Sequence, residues 1–239
     1  MARNSRKTQE HRPLKPARRK AAGWLAERAA VAETARQIAD LGLVSGSSGN
    51  VSVRIDRPGA PPLLAITPAG KLYGSLKTAD IVVCDYEMET LEGDLAPSSE
   101  SLLHVGVYVR RPDVVAVVHT HSLHSSVMAV TGSEVPLIVD EMAVILGGPV
   151  RVSKYAFPGT QELADYVCDA LGDRAAAIIR NHGAVGVGAT LREALNACIL
   201  TERVAQIYIY ASLLGKVTTP PPEALEREQA IYQMRRHRG

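Results

Sequence analysis

Residues Val114 to Val118 form an unbroken apolar run, mostly β-branched, that leads directly into His119-Thr120-His121. A stretch with no polar alternation reads as a buried strand, covered by protein on both faces. A second such run, Ala175 to Ile179, has Asn181-His182-Gly183 at its end. A chain of 239 residues, 46% of them hydrophobic, is long enough for one substantial core, so a single α/β domain is expected.

Periodicity supplies the other elements. From Ala21 to Leu41 the apolar positions Trp24, Leu25, Val31, Ile38 and Leu41 share one helical face, and Gly42 is a suitable stop. A loop over Ser45 to Asn50 follows. Val51, Val53 and Ile55 then alternate with Ser52 and Arg54, the period of a half-buried strand. Pro58 to Pro62 reads as a turn, Leu63 to Ile66 as a strand, Thr67-Pro68-Ala69-Gly70 as a tight loop and Ile81 to Asp85 as a short strand. Pro97-Ser98-Ser99-Glu100 precedes a helical pattern ended by Arg110-Arg111-Pro112. Further helices are expected from Ser122, over Gln161 to Leu171, and over Leu191 to Leu214 with Thr190 as its cap.

The 27 basic and 25 acidic residues nearly cancel, leaving +2, so the body of the chain is no polycation seeking nucleic acid; its expected partners are small molecules. Cys84, Cys168 and Cys198 show neither paired nor metal-type spacing, which fits core residues in a reducing compartment. No apolar run approaches the roughly 20 residues needed to cross a bilayer, and no signal-peptide segment is seen, so no membrane partner and a cytoplasmic location are expected. Residues 1–20 stand apart: Arg3, Arg6, Lys7, Arg12, Lys15, Arg18, Arg19 and Lys20 are offset only by Glu10. With almost nothing to bury, they are expected to form a disordered basic arm ahead of a single catalytic domain over 21–239.

His119 and His121 are two apart, so on a strand both imidazoles project from one face, close enough to grip one ion. The alternative is two polar residues facing water at a strand end. His182, also just past a buried run, could supply the third nitrogen of a three-histidine metal site with an open position. Glu100 opens a helix, where a carboxylate ordinarily serves unpaired backbone N–H groups; it takes a catalytic role only if the fold brings it to the metal. His104 and His124 are expected to be satisfied locally or to support the ligands. Three loops, Gly46 to Asn50, Thr67 to Gly70 and Ser98-Ser99, could each offer N–H groups to an anion. If they converge, they make a phosphate pocket; none matches a nucleotide fingerprint.

These pieces, in this order, resemble the class II aldolase and adducin family, in particular its L-fuculose-1-phosphate aldolase and L-ribulose-5-phosphate 4-epimerase branch. The resemblance runs from about Ala29 onward. It rests on Gly-Asn-Val-Ser-Val at 49–53, Thr-Pro-Ala-Gly at 67–70, Pro-Ser-Ser-Glu at 97–100, Val-Val-His-Thr-His-Ser at 117–122 and Asn-His-Gly at 181–183. It implies a three-layer α/β/α fold with a central, largely antiparallel sheet, and a homotetramer with active sites at subunit interfaces. By position it makes His119, His121 and His182 ligands of Zn2+ or another divalent transition metal, and Glu100 the carboxylate that moves protons. Gly49, Asn50, Gly70, Ser98 and Ser99 match positions that hold the substrate phosphate, and Tyr232 resembles a tyrosine reaching the site from the chain end.

Two departures stand out. Ala69 replaces a hydroxyl residue common in the aldolases' phosphate loop, removing a hydrogen bond worth about 0.5–1.5 kcal/mol. The tyrosine that aldolases bring from a neighbouring subunit, just before a Gly-Gly pair, has no counterpart; Asp140 and Glu141 precede Gly147-Gly148 instead, and either is a candidate acid or base, Glu141 being the one assigned. The resemblance thus implies zinc-dependent reversible cleavage of a small phosphorylated ketose to dihydroxyacetone phosphate and an aldehyde. Epimerisation, dehydration and decarboxylation of a sugar phosphate are the alternatives within the family, and an adducin-like binding module without catalysis is the alternative outside it.

Overall fold

A computed structural model describes residues 23–236. The basic arm expected over residues 1–20 lies outside the described residues. Helix α1 (Leu25–Asp40) buries Val31, Ala35 and Ile38 at helical spacing and stops at Gly42, whose φ of 68° lies in the left-handed region that glycine tolerates. Full burial of Val31 and of Ile38 stabilises the docked helix by about 1.5–3 kcal/mol each. Strands β1 (Asn50–Arg57), β2 (Ala60–Ile66), β3 (Val82–Cys84) and β4 (Thr90–Glu92) follow, then α2 (Ser101–Arg110), β5 (Ala116–Thr120) and α3 (Leu123–Thr131). After a π-helical turn over Met142–Leu146 come β6 (Arg151–Val152), α4 (Gln161–Leu171), β7 (Ala176–Ile179), β8 (Gly183–Gly188), α5 (Leu191–Leu214) and α6 (Pro222–Arg236).

The eight strands form one sheet in the order β4-β3-β2-β1-β5-β8-β7-β6, antiparallel throughout except between β6 and β7. Helices α1 and α5 cover one face, where Val31, Ile38 and Cys198 meet Val51, Ala116 and Val118. Helices α2 and α4 cover the other, with Leu103, Val107 and Leu163 against Leu64, Val117 and Val185. A third apolar cluster joins α3, α5 and α6 around the π-helical turn. The fold is the expected three-layer α/β/α sandwich on a largely antiparallel sheet.

Several local expectations change. β1 is not half-buried: Ser52 is completely enclosed, because α2 lies over the face that its alternation had assigned to water. β2 begins at Ala60, through Pro61 and Pro62, since β3 pairs only with Leu64 to Ile66 and leaves that end free of a ladder needing proline N–H groups. β5 extends through His119 and Thr120, so the histidine pair begins inside the ladder. β8 had no strand signature because its glycines break the pattern. They are required by packing: a Cβ on Gly186 would lie 2.5 Å from Ala194 O of α5. The three cysteines are buried and unpaired, and no helix among the described residues is long and apolar enough to cross a membrane.

Candidate active site

The side-chain alternation of two neighbouring strands sets the site. Asn50 of β1 pairs directly with His119 of β5, and Ser52 with Val117, so Asn50, Ser52 and His119 line the sheet face beneath α2. Glu100 precedes the first residue of α2, yet its carboxylate makes no capping bond. Its backbone N–H donates to Ser98 Oγ at 3.3 Å. The Glu100 carboxylate turns inward instead, with Oε2 3.3 Å from His119 Nε2 and Oε1 3.2 Å from His182 Nε2.

The three imidazoles meet edge to face, with ring centroids 4.8–4.9 Å apart. One ligand atom from each of Glu100, His119, His121 and His182 can be chosen so that all four lie within 4.8 Å of one another. His119 Nδ1 donates to Ala184 O at 2.9 Å, which leaves its Nε2 as a lone pair. His121 Nε2 stands 2.9 Å from that atom. His182 is presented by the short turn between β7 and β8, where Asn181 occupies the left-handed region at φ 54°. Gly183 permits the approach: a Cβ there would lie 2.2 Å from Thr120 O and 3.1 Å from the His121 ring.

Burial pushes the His121 imidazole down to about 3, helped by the charges of His119 and His182. Burial also lowers His182, again with help from His119. Burial acts to raise the Glu100 carboxyl, but His119, His182 and the Asn50 amide outweigh it and hold the group down at about 2. Glu100 Oε1 is buried without a hydrogen bond. Three imidazole nitrogens and a carboxylate oxygen converging within 4.8 Å of one another fit a divalent cation, which would displace the protons between them, with nitrogen-rich ligation suited to zinc and its neighbours.

The three loops do converge. Ser47 to Asn50, Pro68 to Gly70 and Ser98 to Glu100 line a cavity of about 200 Å³ that His121 also borders. The loops are stitched together by Ala69 N to Ala96 O at 3.0 Å and Ser98 N to Thr67 O at 3.1 Å. Those two N–H groups are therefore committed, and Ser98 can offer an anion only its hydroxyl. Asn50 borders the cavity, but its side chain is held between Glu100 and His104: Nδ2 donates to Glu100 Oε2 at 3.0 Å, and Oδ1 accepts from His104 Nε2.

Two expected residues are not brought to this cluster. Tyr232 is buried in the third apolar cluster, its hydroxyl donating to Asp173 O at 2.9 Å, because α6 folds back over the π-helical turn of its own chain. Glu141 is exposed at the start of that turn and lies 3.8 Å from Arg203. His124 is satisfied locally by Glu202 at 2.7 Å, and Glu202 also accepts from the backbone N of His124 and Ser125, holding the start of α3 just after His121. The role of Ser52 and Tyr108 was not legible in the sequence. Each bonds at 2.6 Å in the buried network behind Glu100, and the one available signal was His104 four residues after Glu100 on the same helix.

The chain belongs to the class II aldolase and adducin family: residues 29–209 match its Class II Aldolase and Adducin N-terminal domain. It is 36% identical over 203 residues to the 5-methylthioribulose-1-phosphate/5-deoxyribulose-1-phosphate aldolase of Rhodospirillum rubrum, covering 85% of this chain and 89% of that one. It is 33% identical over 201 residues to the L-fuculose phosphate aldolase of Escherichia coli strain K12, covering 84% and 89%. A solved L-fuculose 1-phosphate aldolase superposes with a TM-score of 0.81 at 32% identity, covering 87% of this chain and 96% of that structure.

Proposed function

We propose that this protein is a metal-dependent aldolase that reversibly cleaves a small ketose 1-phosphate, of the fuculose 1-phosphate type, to dihydroxyacetone phosphate and an aldehyde. The observation that carries the reading is the Glu100 carboxylate, turned away from helix capping into the cluster of His119, His121 and His182 at the edge of a three-loop cavity. Its relatives named as aldolases of ketose phosphates support the same reading over an adducin-like binding module.

His119, His121 and His182 would hold a divalent cation, zinc by preference for nitrogen ligands, which when bound would supply Lewis-acid polarisation of the ketose. Glu100 moves the proton at the carbon released by cleavage, from the oxygen that carries no hydrogen bond, a contribution of about 10²–10⁴-fold in rate. Main-chain groups at Gly49, Gly70 and Ser99 and the Ser98 hydroxyl hold the phosphate, while Asn50, its side chain engaged by Glu100 and His104 and its backbone paired with His119 in the sheet, supports the cavity wall. The cavity of about 200 Å³ is of a size suited to a phosphate and a short sugar chain.

We further propose the homotetramer implied by the family, residing in the cytoplasm. Leu123, Val127 and Val130 on α3, and Leu213 and Leu214 on α5, are exposed apolar residues that a subunit contact would cover. In such an assembly Glu141 serves a neighbouring subunit's site as the acid or base at the aldehyde oxygen. The test is a panel of fuculose 1-phosphate, rhamnulose 1-phosphate and 5-deoxyribulose 1-phosphate, read by enzymatic detection of dihydroxyacetone phosphate. Release from at least one sugar is expected; metal-loaded protein that cleaves none of them overturns the aldolase reading.

A further inference from the structure

Behind Glu100 lies a chain of side chains without access to water. Ser52 and His104 are fully buried, and Asn50 and Tyr108 are 2% and 3% exposed. Their donors and acceptors can be assigned in sequence, starting from the carboxylate. An ionised Glu100 only accepts, so Asn50 presents its amide NH2 to Oε2, at 3.0 Å. The Asn50 carbonyl oxygen then faces His104 Nε2, which must carry the proton. His104 Nδ1 is therefore the acceptor, and the Ser52 hydroxyl donates to it at 2.6 Å. Ser52 Oγ is left to accept from Tyr108 OH, also at 2.6 Å. Every donor points the same way, toward the carboxylate.

We propose that His104, which donates from Nε2 to Asn50 and accepts at Nδ1 from Ser52, is a positioning residue for Glu100 that acts by holding the Asn50 amide with its NH2 toward the carboxylate. The inference rests on the proposed role of Glu100 as the proton-moving group. Flipping the Asn50 amide would set its oxygen against the carboxylate and its NH2 against the His104 N–H, two repulsive contacts in place of two hydrogen bonds. The array also isolates the carboxylate. An amide does not pass protons along as an imidazole or hydroxyl does, so Asn50 separates Glu100 from His104. Glu100 then exchanges no proton through His104, and its remaining neighbours are the imidazoles of His119 and His182. This makes Asn50 a support of the carboxylate rather than a side-chain ligand of the phosphate.

The experiment compares Glu100→Gln, His104→Leu, His104→Gln and Asn50→Ala as metal-loaded full-length proteins, with metal content, folding by circular dichroism, and kcat and KM measured for each. Glu100→Gln reports on the functional reading alone: if it leaves kcat unchanged, that reading fails whatever the others do. With Glu100→Gln impaired, His104→Leu and Asn50→Ala are expected to lower kcat by about 10–100-fold at unchanged KM and metal content. Glutamine can still donate toward Asn50 Oδ1, so His104→Gln is expected to recover much of the loss. A second readout, independent of turnover, is the ¹⁵N spectrum of the His104 ring in metal-free protein, expected to show Nε2 protonated and Nδ1 bare. A folded His104→Leu protein with wild-type kcat, an Asn50→Ala protein altered in KM alone, or the opposite His104 tautomer each overturns the proposal.

Discussion

His119 Nε2 and His121 Nε2 face each other at 2.9 Å, while the other nitrogen of His119 donates to the main chain at Ala184. His119 Nε2 can only accept, so a proton on His121 Nε2 bridges the pair in the metal-free protein; a divalent cation would displace that proton, take both lone pairs and add stability to the fold. Stripping divalent metal with a chelator should lower the melting temperature, and adding back zinc should restore it. Ligand at about 100 times its dissociation constant stabilises by about 2.7 kcal/mol. His121→Ala and His182→Ala should abolish the response in differential scanning calorimetry; a wild-type melt indifferent to chelator would contradict it.

His104 provides a pH dependence of stability. Burial lowers its imidazole from 6.5 to about 3, so the folded protein keeps it neutral while the unfolded chain protonates it below pH 6.5. The unfolded state therefore binds the extra proton between pH 6.5 and 3, and stability rises with pH across that window. The contribution is complete above pH 6.5 and falls by about 1.4 kcal/mol for each pH unit below it. His121 shifts in the same direction, so the measurement is the difference between wild type and His104→Gln in urea unfolding from pH 4 to 7 (about the range of interest). The variant should show the shallower slope; identical slopes would remove His104 as the source.

Gly183→Ala tests the close approach of β8 to the ligands. Its new methyl group would meet Thr120 O at 2.2 Å and the His121 ring at 3.1 Å, so it should cost about 1–3 kcal/mol and weaken metal binding by displacing His121. Gly74→Ala is the control, since nothing lies within 4 Å of its Cβ position, and should stay within about 0.5 kcal/mol of wild type. Titration with zinc alongside chemical unfolding separates the two effects.

Tyr232→Phe examines the residue that the family pattern had suggested for catalysis. Its hydroxyl donates to Asp173 O inside the third apolar cluster. Removing it should cost about 0.5–1.5 kcal/mol of stability and leave kcat unaltered. A normal melt with a collapsed kcat would return Tyr232 to the active site.

The central strands and most helices were legible because burial and periodicity agree there: α4 was bounded correctly from Gln161 to Leu171, and the expected cap at Thr190 accepts a hydrogen bond from Glu193 N. The grouping of His119, His121 and His182 could be read from their strand-end positions. What escaped was set by packing between distant segments. Ser52 looked solvent-facing because nothing local announces that α2 covers it, and the glycines of β8 hid a strand whose closeness to α5 demands them. Asn50 matched a phosphate-binding position in the family, yet its amide is engaged by two side chains 50 and 54 residues away in sequence. Tyr232 could not be registered because the course of α6 depends on the surface it docks against.

The most direct measurement is metal content and dihydroxyacetone phosphate release on the same preparations of wild type and Glu100→Gln. The wild type should carry about one divalent metal per chain and cleave at least one ketose 1-phosphate. Glu100→Gln should retain the metal and lose about 10²–10⁴-fold in cleavage rate. A wild-type protein that cleaves without metal, or a metal-loaded Glu100→Gln protein that cleaves at the wild-type rate, would contradict the account.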